Sequence, residues 1–381
     1  MIDVLIAGAG PAGSIAALLL ARAGARVLLV DRERFPREKL CGDTLNPGAV
    51  AFLDSIGLTD GPVQKARPLR GMLVTGPHAR ARVEYDGAET GRAIVRRELD
   101  EWLLQQAIGA GATFEPGLAA TGVIADDERG APQVRGLVLR RQGREQTMSM
   151  EARMTIAADG RRSAIARAAG LTAGTNAPRR WAYGVYATGV RDVGDVGEMH
   201  VRRGWYLGIA PITDAVSNVC LVTGPRAEGR APLEIVRRAI ARDAWLSARF
   251  EPAQFVTRVN ILGPLAADVS ACGRSGLLLA GDAAGFVDPM TGDGLSLAMR
   301  GAALAAVEAL RALGTGQLAE APLRLAEARR HAFAAKLRFN RLLRALVDQP
   351  AAVVAAEIGA KLVPPVLRRV VRYAGDVPCL S

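Results

Sequence analysis

The fold of this chain is decided by residues 1–32, whose sequence is MIDVLIAGAGPAGSIAALLLARAGARVLLVDR. An apolar run is followed at once by Gly8, Gly10 and Gly13 in the spacing G-x-G-x-x-G, then by a helical pattern and a second apolar run ending in Asp31. Gly8 permits the tight turn, Gly10 lets a pyrophosphate approach the backbone, and Gly13 lets helix and strand pack closely. The helix N-terminus offers free N–H groups to phosphates, and Asp31 is placed to accept hydrogen bonds from an adenosine ribose. The segment therefore predicts a β-α-β unit that binds a dinucleotide.

The composition is that of a folded protein with a basic surface. The 381 residues are 50% hydrophobic and 23% charged, which is enough for two lobes with real cores and argues against disorder. The net charge is +11, and only four of the 49 basic residues are Lys. The excess of Arg reflects either a GC-rich genome or an acidic partner, such as an anionic membrane surface, a phosphorylated substrate or an acidic carrier protein. Few aromatic residues and no nucleic-acid motif argue against nucleic acid.

The cysteines and the N-terminus indicate a cytoplasmic protein. The four cysteines form no C-x-x-C pair, which argues against a metal site and a disulfide framework and suits a reducing compartment. No basic segment precedes the first apolar run, so that run is not a signal peptide. No apolar stretch reaches about 18 residues without a charge, so we expect no membrane-spanning helix. The cysteines are Cys41, Cys220, Cys272 and Cys379.

Two later turns have the same anion-binding character as the first. Asp159-Gly160 follows a predicted strand at 153–157 and precedes a short helix. Gly281-Asp282 follows an apolar strand, and Gly292-Asp293-Gly294 opens a long helix at 295–313. An ordinary strand–loop–helix turn is the alternative for this last region. Together the three turns predict one extended phosphate and ribose site.

The middle of the chain differs in pattern from its flanks. Residues 181–262 alternate between apolar and polar, with Gly and Pro breaks, and carry three of the four Trp residues. This pattern is typical of an antiparallel sheet that forms the wall of a substrate pocket. The predicted strands are 183–190, 198–201, 205–209 and 218–223, with a helix at 233–246; further predicted elements are paired strands at 69–75 and 81–85 and helices at 46–56 and 101–108.

Two segments each have two possible roles, and the residues alone do not decide between them. Cys41 lies in a charged, proline-broken loop beside the predicted nucleotide crevice, where it is either a small adaptable loop residue or a redox or flavin-contacting group. From residue 319 onward the chain is predominantly helical and basic. This region either lies on an anionic membrane or presents a solvated face while packing on the core.

The order and spacing of the three turns resemble the flavoprotein superfamily that contains the para-hydroxybenzoate hydroxylase-like (group A) monooxygenases and the geranylgeranyl reductases. The resemblance covers residues 1–313 and implies FAD as the cofactor. The hydroxylases usually carry a His after Gly-Asp-Ala-Ala, where this chain has Gly285. The run at 281–294 and the run FPREKLCGD at 35–43 are similar to the geranylgeranyl reductase-like branch.

The resemblance also implies which residues contact the cofactor. Asp31 would meet the adenosine ribose, Arg96 the pyrophosphate, and Asp282 the ribitol and phosphates. The helix start at 292–294 would face the pyrimidine edge of the flavin, where its dipole stabilises negative charge. The complete implied set is Gly8, Gly10, Pro11, Ala12, Gly13, Asp31, Arg32, Cys41, Arg96, Asp159, Gly281, Asp282, Gly292, Asp293 and Gly294.

Candidates for the reaction itself are Cys41, Tyr206 and Pro289. Both the reductases and the tryptophan halogenases carry paired bulky residues before a Pro in the substrate sheet, a place that corresponds here to 206–211. Tyr206 fits that pattern, whereas Gly208 and Ala210 replace large residues. This departure argues against a halogenase and indicates a roomier pocket.

The sequence therefore predicts an α/β fold with a Rossmann-like FAD-binding lobe, an inserted antiparallel-sheet substrate lobe and a helical C-terminal region. The expected activity is flavin hydride transfer that saturates a C=C bond, or the reverse reaction, in a bulky, mainly apolar small molecule or a carrier-tethered one, with NAD(P)H as electron donor. The alternatives are an FAD-dependent monooxygenase that uses O2, a halogenase and a non-catalytic flavoprotein. The predicted boundaries are 1–70, 95–175 and 265–315 for the FAD lobe, 71–94 and 176–264 for the substrate lobe, and 316–381 for the helical region.

Overall fold

The computed structural model describes residues 1–85, 90–126, 132–174, 180–224, 229–286, 290, 292–348, 369, 373 and 375. Its α-helices are α1 (Pro11–Arg22), α2 (Pro47–Ser55), α3 (Pro62–Lys65), α4 (Arg96–Gly109), α5 (Ala164–Ala168), α6 (Pro232–Ala241), α7 (Ala244–Phe250), α8 (Gly294–Thr315) and α9 (Ala321–Asp348). Its strands are β1 (Val4–Ala7), β2 (Val27–Asp31), β3 (Thr44–Leu45), β4 (Arg67–Leu69), β5 (Gly71–Thr75), β6 (Arg80–Glu84), β7 (Gly91–Ala93), β8 (Thr113–Pro116), β9 (Leu118–Asp126), β10 (Gln133–Arg141), β11 (Thr147–Glu151), β12 (Met154–Ala157), β13 (Thr172–Ala173), β14 (Trp181–Thr188), β15 (Gly197–Arg202), β16 (Trp205–Pro211), β17 (Val216–Thr223), β18 (Gln254–Phe255), β19 (Asn260–Leu262), β20 (Asp268–Val269), β21 (Gly273–Arg274) and β22 (Leu277–Leu279).

A six-stranded sheet carries the first lobe. Its strand order is β21-β22-β12-β1-β2-β8, and all neighbours from β22 to β8 are parallel. Every residue of β1 and β2 is buried, because helices or further strands cover both faces of a parallel sheet. Helix α1 connects β1 to β2 and packs against α4 and α8. The predicted β-α-β unit is therefore present.

A larger sheet faces the first lobe. Its order is β18-β14-β17-β16-β15-β5-β6, and β19 also pairs with β14. The pair β5–β6 extends this sheet from a segment more than one hundred residues earlier, and β5 runs parallel to β15. Strand β7 pairs instead with β3 and β4 in a small separate sheet. This architecture confirms the predicted α/β class with an antiparallel substrate sheet and C-terminal helices.

Two predicted helices differ from those observed. The single helix expected at 233–246 is two helices, because Asp243 leaves the helical conformation and its Oδ1 accepts a hydrogen bond from the Leu246 N–H at 2.9 Å, which begins α7. The helix expected at 101–108 starts at Arg96 instead. Its first turn is stabilised by a bidentate Arg96–Asp100 ion pair at 2.7 and 2.8 Å, spaced i, i+4.

The C-terminal helix packs on the first lobe. Helix α9 contacts α8 and the strands β21 and β22. Among the helices described, none is both long enough and apolar enough to cross a membrane.

Candidate flavin and substrate site

A cavity of about 430 Å³ lies between the two sheets. It opens at the carboxyl ends of β1, β2, β12 and β22, the edge where parallel α/β sheets bind nucleotides. The predicted site residues among those that line it are Gly8, Gly10, Pro11, Ala12, Asp31, Arg32, Cys41, Arg96, Asp159, Tyr206, Asp282, Gly292 and Gly294. Three turns that are distant in the sequence therefore meet in one space.

The glycine turn after β1 packs tightly against neighbouring backbone atoms. Gly8 has φ +98°, and a Cβ there would lie 2.3 Å from the Ala158 carbonyl oxygen. A Cβ at Gly13 would lie 1.7 Å from the Gly8 carbonyl oxygen, so α1 packs directly against the turn. The Ala9 N–H donates to Asp31 Oδ2 at 2.7 Å. Asp31 therefore stabilises the turn through this hydrogen bond and also lines the cavity. Its contact with a ribose stays a prediction.

Two partly buried arginines, Arg37 and Arg96, line the cavity beside the glycine turn, and Arg37 was not among the predicted site residues. Arg37 and Arg96 share the carboxylate of Asp100, with Arg37 Nη2 at 3.0 Å from it. Arg37 Nη2 also lies 3.3 Å from the position that a Cβ of Gly10 would occupy. Arg37 Nη1 is buried without an acceptor among the residues that the structure describes. A buried guanidinium N–H is costly to leave unpaired, and a phosphate oxygen beside Gly10 would satisfy it.

Two half-buried carboxylates, Asp159 and Asp282, line the same cavity. Asp159 Oδ2 accepts the Ala164 N–H at 2.8 Å at the start of α5, while its Oδ1 is buried and finds no donor in the described part of the chain. Burial raises the pKa of Asp159, and it also raises the pKa of Asp282, where Arg96 and Lys39 oppose the effect. Such oxygens suit the hydroxyl groups of a ribitol or ribose. The unpaired atoms and the glycine cradle together fit FAD.

Three of the predicted residues that the structure describes do not line this cavity. Gly13 and Gly281 allow close packing, since a Cβ at Gly281 would lie 2.6 Å from the Ala12 Cβ. The Asp293 carboxylate points to α9, where Asn340 Nδ2 donates to it at 2.7 Å and Lys336 Nζ lies 3.6 Å away. Its side chain therefore joins α8 to α9, and a contact of Asp293 with the cofactor stays a prediction. Pro289 lies outside the described residues.

Cys41 lies on the cavity wall next to Arg96. Burial raises the pKa of its thiol, an effect that Arg96 partly opposes, so the thiol is protonated at neutral pH. Asn218 Nδ2 of the substrate sheet donates to the Cys41 carbonyl oxygen at 3.1 Å. The loop before α2 is thus tied to the opposite sheet at the residue that the sequence singled out.

The wall contributed by the large sheet is mainly apolar, with Glu198 of β15 as a charged member. Tyr206 is buried at 3% exposure and packs with Val222, Ala182 and Leu265 in a core cluster of this sheet. Gly208 occupies the middle of β16, and a Cβ there would meet no atom closer than 3.8 Å. Further lining residues on this side are Met199, Cys220, Leu262 and Phe286. The cavity therefore combines a charged, phosphate-binding end with an apolar end.

The residues 1–340 match a family model described as an FAD binding domain. The chain belongs to this family, and it is an FAD-dependent oxidoreductase; the predictions of FAD and of this superfamily are confirmed. The chain is 32% identical over 333 residues to the menaquinone reductase of Mycobacterium tuberculosis (strain ATCC 25618 / H37Rv), which covers 80% of this chain and 75% of that protein. It is 31% identical over 301 residues to digeranylgeranylglycerophospholipid reductase 2 of Methanopyrus kandleri, covering 77% and 73%.

Solved structures show the same fold. A geranylgeranyl bacteriochlorophyll reductase-like protein from Thermoplasma acidophilum superposes with a TM-score of 0.79 at 22% identity, covering 97% of this chain and 98% of that one. The flavin-dependent brominase Bmp2 superposes with a TM-score of 0.84 at 20% identity, covering 98% and 93%. At these identities the similarity concerns the fold alone.

Proposed function

We propose that this protein reduces a C=C bond in an apolar, isoprenoid-bearing substrate. The single observation that carries the proposal is the two-part cavity, in which the charged end meets an apolar wall built around Tyr206 and Gly208. The relatives support it, because both are reductases and their names refer to an isoprenoid quinone and a geranylgeranyl lipid.

Different residues of the cavity would orient the substrate, stabilise the charge of the reduced cofactor and supply a proton. A bound FAD would supply the hydride, and the apolar wall orients the chain of the substrate and excludes water. The start of α8 and the Arg96 guanidinium supply positive potential at the site, which favours a negatively charged reduced cofactor. Reduction of a C=C bond also needs a proton, and the protonated Cys41 thiol on the cavity wall is the candidate donor.

The decisive experiment follows the flavin and the product in separate steps. The purified protein is reduced anaerobically with NADH or with NADPH, and the loss of flavin absorbance is recorded. A menaquinone or a geranylgeranyl lipid is then added without O2, and the molecular mass of the product is measured by mass spectrometry. We expect reduction by one of the two nicotinamides and a product that still carries two added hydrogens after any hydroquinone has been chemically reoxidised to the quinone. A product that gains an oxygen atom, formed only when O2 is admitted, would establish the monooxygenase alternative instead.

The surface of α9 supports a peripheral membrane location for a substrate of this kind. Exposed basic residues Arg330, Arg338 and Arg341 recur at helical spacing beside Leu323 and Leu342, whose exposures are 73% and 62%. Cations flanked by exposed leucines are typical of helices that lie on anionic lipid. The protein should sediment with phosphatidylglycerol vesicles but not with phosphatidylcholine vesicles.

The charge-reversal variant R338E/R341E tests that surface against R140E/R144E, which reverses two exposed charges at β10 and the turn after it. Only the first variant should release the protein from the vesicles. Equal release by both would mean that net charge, rather than α9, governs binding. Binding to an acidic carrier protein without vesicle binding would favour a carrier-tethered substrate.

A further inference from the structure

Asp43 joins three segments that are far apart in the sequence. Its side chain is buried at 1% exposure, and its backbone has φ +53°, which is uncommon for a residue with a Cβ. Its Oδ1 accepts the Arg96 N–H at 3.2 Å, at the start of α4. Its Oδ2 accepts the Tyr186 hydroxyl and Asn218 Nδ2, both on the substrate sheet, the latter at 2.7 Å. Asp43 itself is absent from the cavity wall, so any effect on the reaction passes through a neighbour.

That neighbour is Asn218. The same Asn218 nitrogen donates one hydrogen to Asp43 Oδ2 and the other to the Cys41 carbonyl oxygen, at 2.7 and 3.1 Å. Both hydrogens of the amide are thereby directed at acceptors in the loop that carries Cys41. The Asn218 oxygen is buried and has no donor among the described residues. The carboxylate of Asp43 thus fixes the orientation of the amide that holds Cys41.

We infer that Asp43 is the positioning residue of this site: acting through Asn218, it holds Cys41 on the cavity wall beside Arg96. The strained backbone at Asp43 fits this role, because local strain persists where several surrounding bonds determine one conformation. The inference deepens the proposed function, since it concerns the same cavity, but it does not depend on the identity of the substrate.

The geometry distinguishes this role from a general structural one. Asn tolerates positive φ well, so Asp43→Asn perturbs the side-chain bonds rather than the backbone. The amide at position 43 offers one acceptor oxygen to the three donors that the carboxylate serves. With that oxygen turned to Asn218 and Tyr186, the NH2 would meet the Arg96 N–H; with the NH2 turned to Asn218, it would meet Nδ2, a donor against a donor. Every orientation leaves a donor unpaired, so the bond that orients Asn218 is weakened and Cys41 is held less firmly.

The double variant D43N/N218D separates the two roles. The exchanged pair can again form a hydrogen bond between positions 43 and 218, which restores the link between the lobes. The carboxylate at 218 cannot donate to the Cys41 carbonyl oxygen, so Cys41 stays released. Because N218D alone removes that donor, the positioning role is tested by D43N: an Asp43 that only linked the lobes would leave Cys41 alkylation unchanged there.

The experiment measures the alkylation rate of Cys41 by iodoacetamide in the FAD-loaded protein, with peptide mass mapping, together with the thermal midpoint and the absorbance spectrum of the bound flavin. D43N and N218A should each accelerate Cys41 alkylation, roughly tenfold for loss of one anchoring hydrogen bond. N218A keeps the Asp43 charge, so acceleration there reports position rather than electrostatics. Y186F, which contacts Asp43 but leaves the Asn218–Cys41 bond in place, should keep a rate within about twofold of wild type. Cys272, which does not line the cavity, is the internal reference and should react at an unchanged rate in all variants.

In D43N/N218D the thermal midpoint should lie at or above that of D43N, while alkylation of Cys41 stays fast. Recovery of the alkylation rate together with the midpoint would overturn the inference, as would unchanged Cys41 alkylation in D43N or in N218A. Catalytic turnover is not part of the measurement, so a wrong substrate in the proposed function would leave these outcomes unaffected.

Discussion

The helix that follows the glycine turn rests directly on that turn: a Cβ at Gly13 would lie 1.7 Å from the carbonyl oxygen of Gly8. Gly13→Ala must therefore push α1 away from β1 or open the turn. We expect loss of FAD binding and a destabilisation of roughly 2–4 kcal/mol, the range of severe overpacking in a core. Urea unfolding and flavin content after purification measure the two effects.

Gly109→Ala is the matched control, because it makes the same change in α4, where a Cβ meets no atom within 4 Å. It should stabilise the protein by roughly 0.5–1 kcal/mol, since Ala is the better helix former. Equal effects of both substitutions would show that the contact between Gly13 and Gly8 is unimportant.

Arg37 should contribute to FAD affinity through the phosphates. Its Nη1 is buried and lacks an acceptor among the described residues, so Arg37→Ala removes a charge-assisted donor. We expect the Kd for FAD to rise roughly 10- to 100-fold, the equivalent of about 1.5–3 kcal/mol. Titration of the apoprotein with FAD by fluorescence quenching measures this change. The exposed neighbour Arg34 does not line the cavity, and Arg34→Ala should bind FAD as wild type does; similar losses in both variants would point to long-range charge alone.

The stability of the protein should depend on pH through Asp43. Burial raises the pKa of Asp43 to about 6, although Tyr186, Asn218 and Arg96 each favour its charged form. Because this pKa lies above the ordinary value of 3.8, the contribution of Asp43 to stability is complete below about pH 4 and is lost as the pH rises through 6.

Between those limits the free energy of unfolding of wild type should fall, relative to Asp43→Asn, by on the order of 3 kcal/mol. Urea unfolding of both proteins at several pH values from 4 to 7 tests this. Tyr186→Phe removes a bond that favours the carboxylate, so it should move the transition to higher pH. A difference between wild type and Asp43→Asn that is constant with pH would contradict the prediction.

Gly208 should determine how large a substrate the apolar end accepts. A Cβ at this position meets only the Glu198 and Cys220 carbonyl oxygens and Met199, at 3.8–4.0 Å, so neither packing nor a positive φ requires glycine. A glycine inside a strand without such a requirement marks a place where a ligand approaches closely. Gly208→Leu should raise KM for a long-chain substrate by roughly tenfold or more, and it should leave KM for a short-chain analogue nearly unchanged.

Stability in that variant should change by less than about 1 kcal/mol, because Leu suits a strand at least as well as Gly does. Steady-state kinetics on two chain lengths and thermal unfolding supply the measurements. An equal rise in KM for both substrates would mean that the substitution disturbs the flavin end of the cavity rather than the substrate end.

The sequence by itself determined the first lobe and its dinucleotide site, and the resemblance of its three turns to a flavoprotein superfamily implied FAD. The turn at Gly8, the strands around it and the helix after it follow from local preferences: glycine for the bend, apolar runs for buried strands, and a helix N-terminus for phosphate. The same holds for the turns at Asp159 and Asp282. Each of these patterns lies within a few residues, where spacing alone specifies geometry.

The tertiary structure decided the parts that depend on contacts between distant residues. The Asp100 carboxylate in α4 pairs with Arg37, which comes from a distant loop, as well as with Arg96 on its own helix. Asp293 points to α9 because Lys336 and Asn340 meet it there. The link from Asp43 through Asn218 to Cys41 spans more than 170 residues. Hydrogen bonds and ion pairs of this kind form only after the lobes pack together, so no local pattern in the sequence records them.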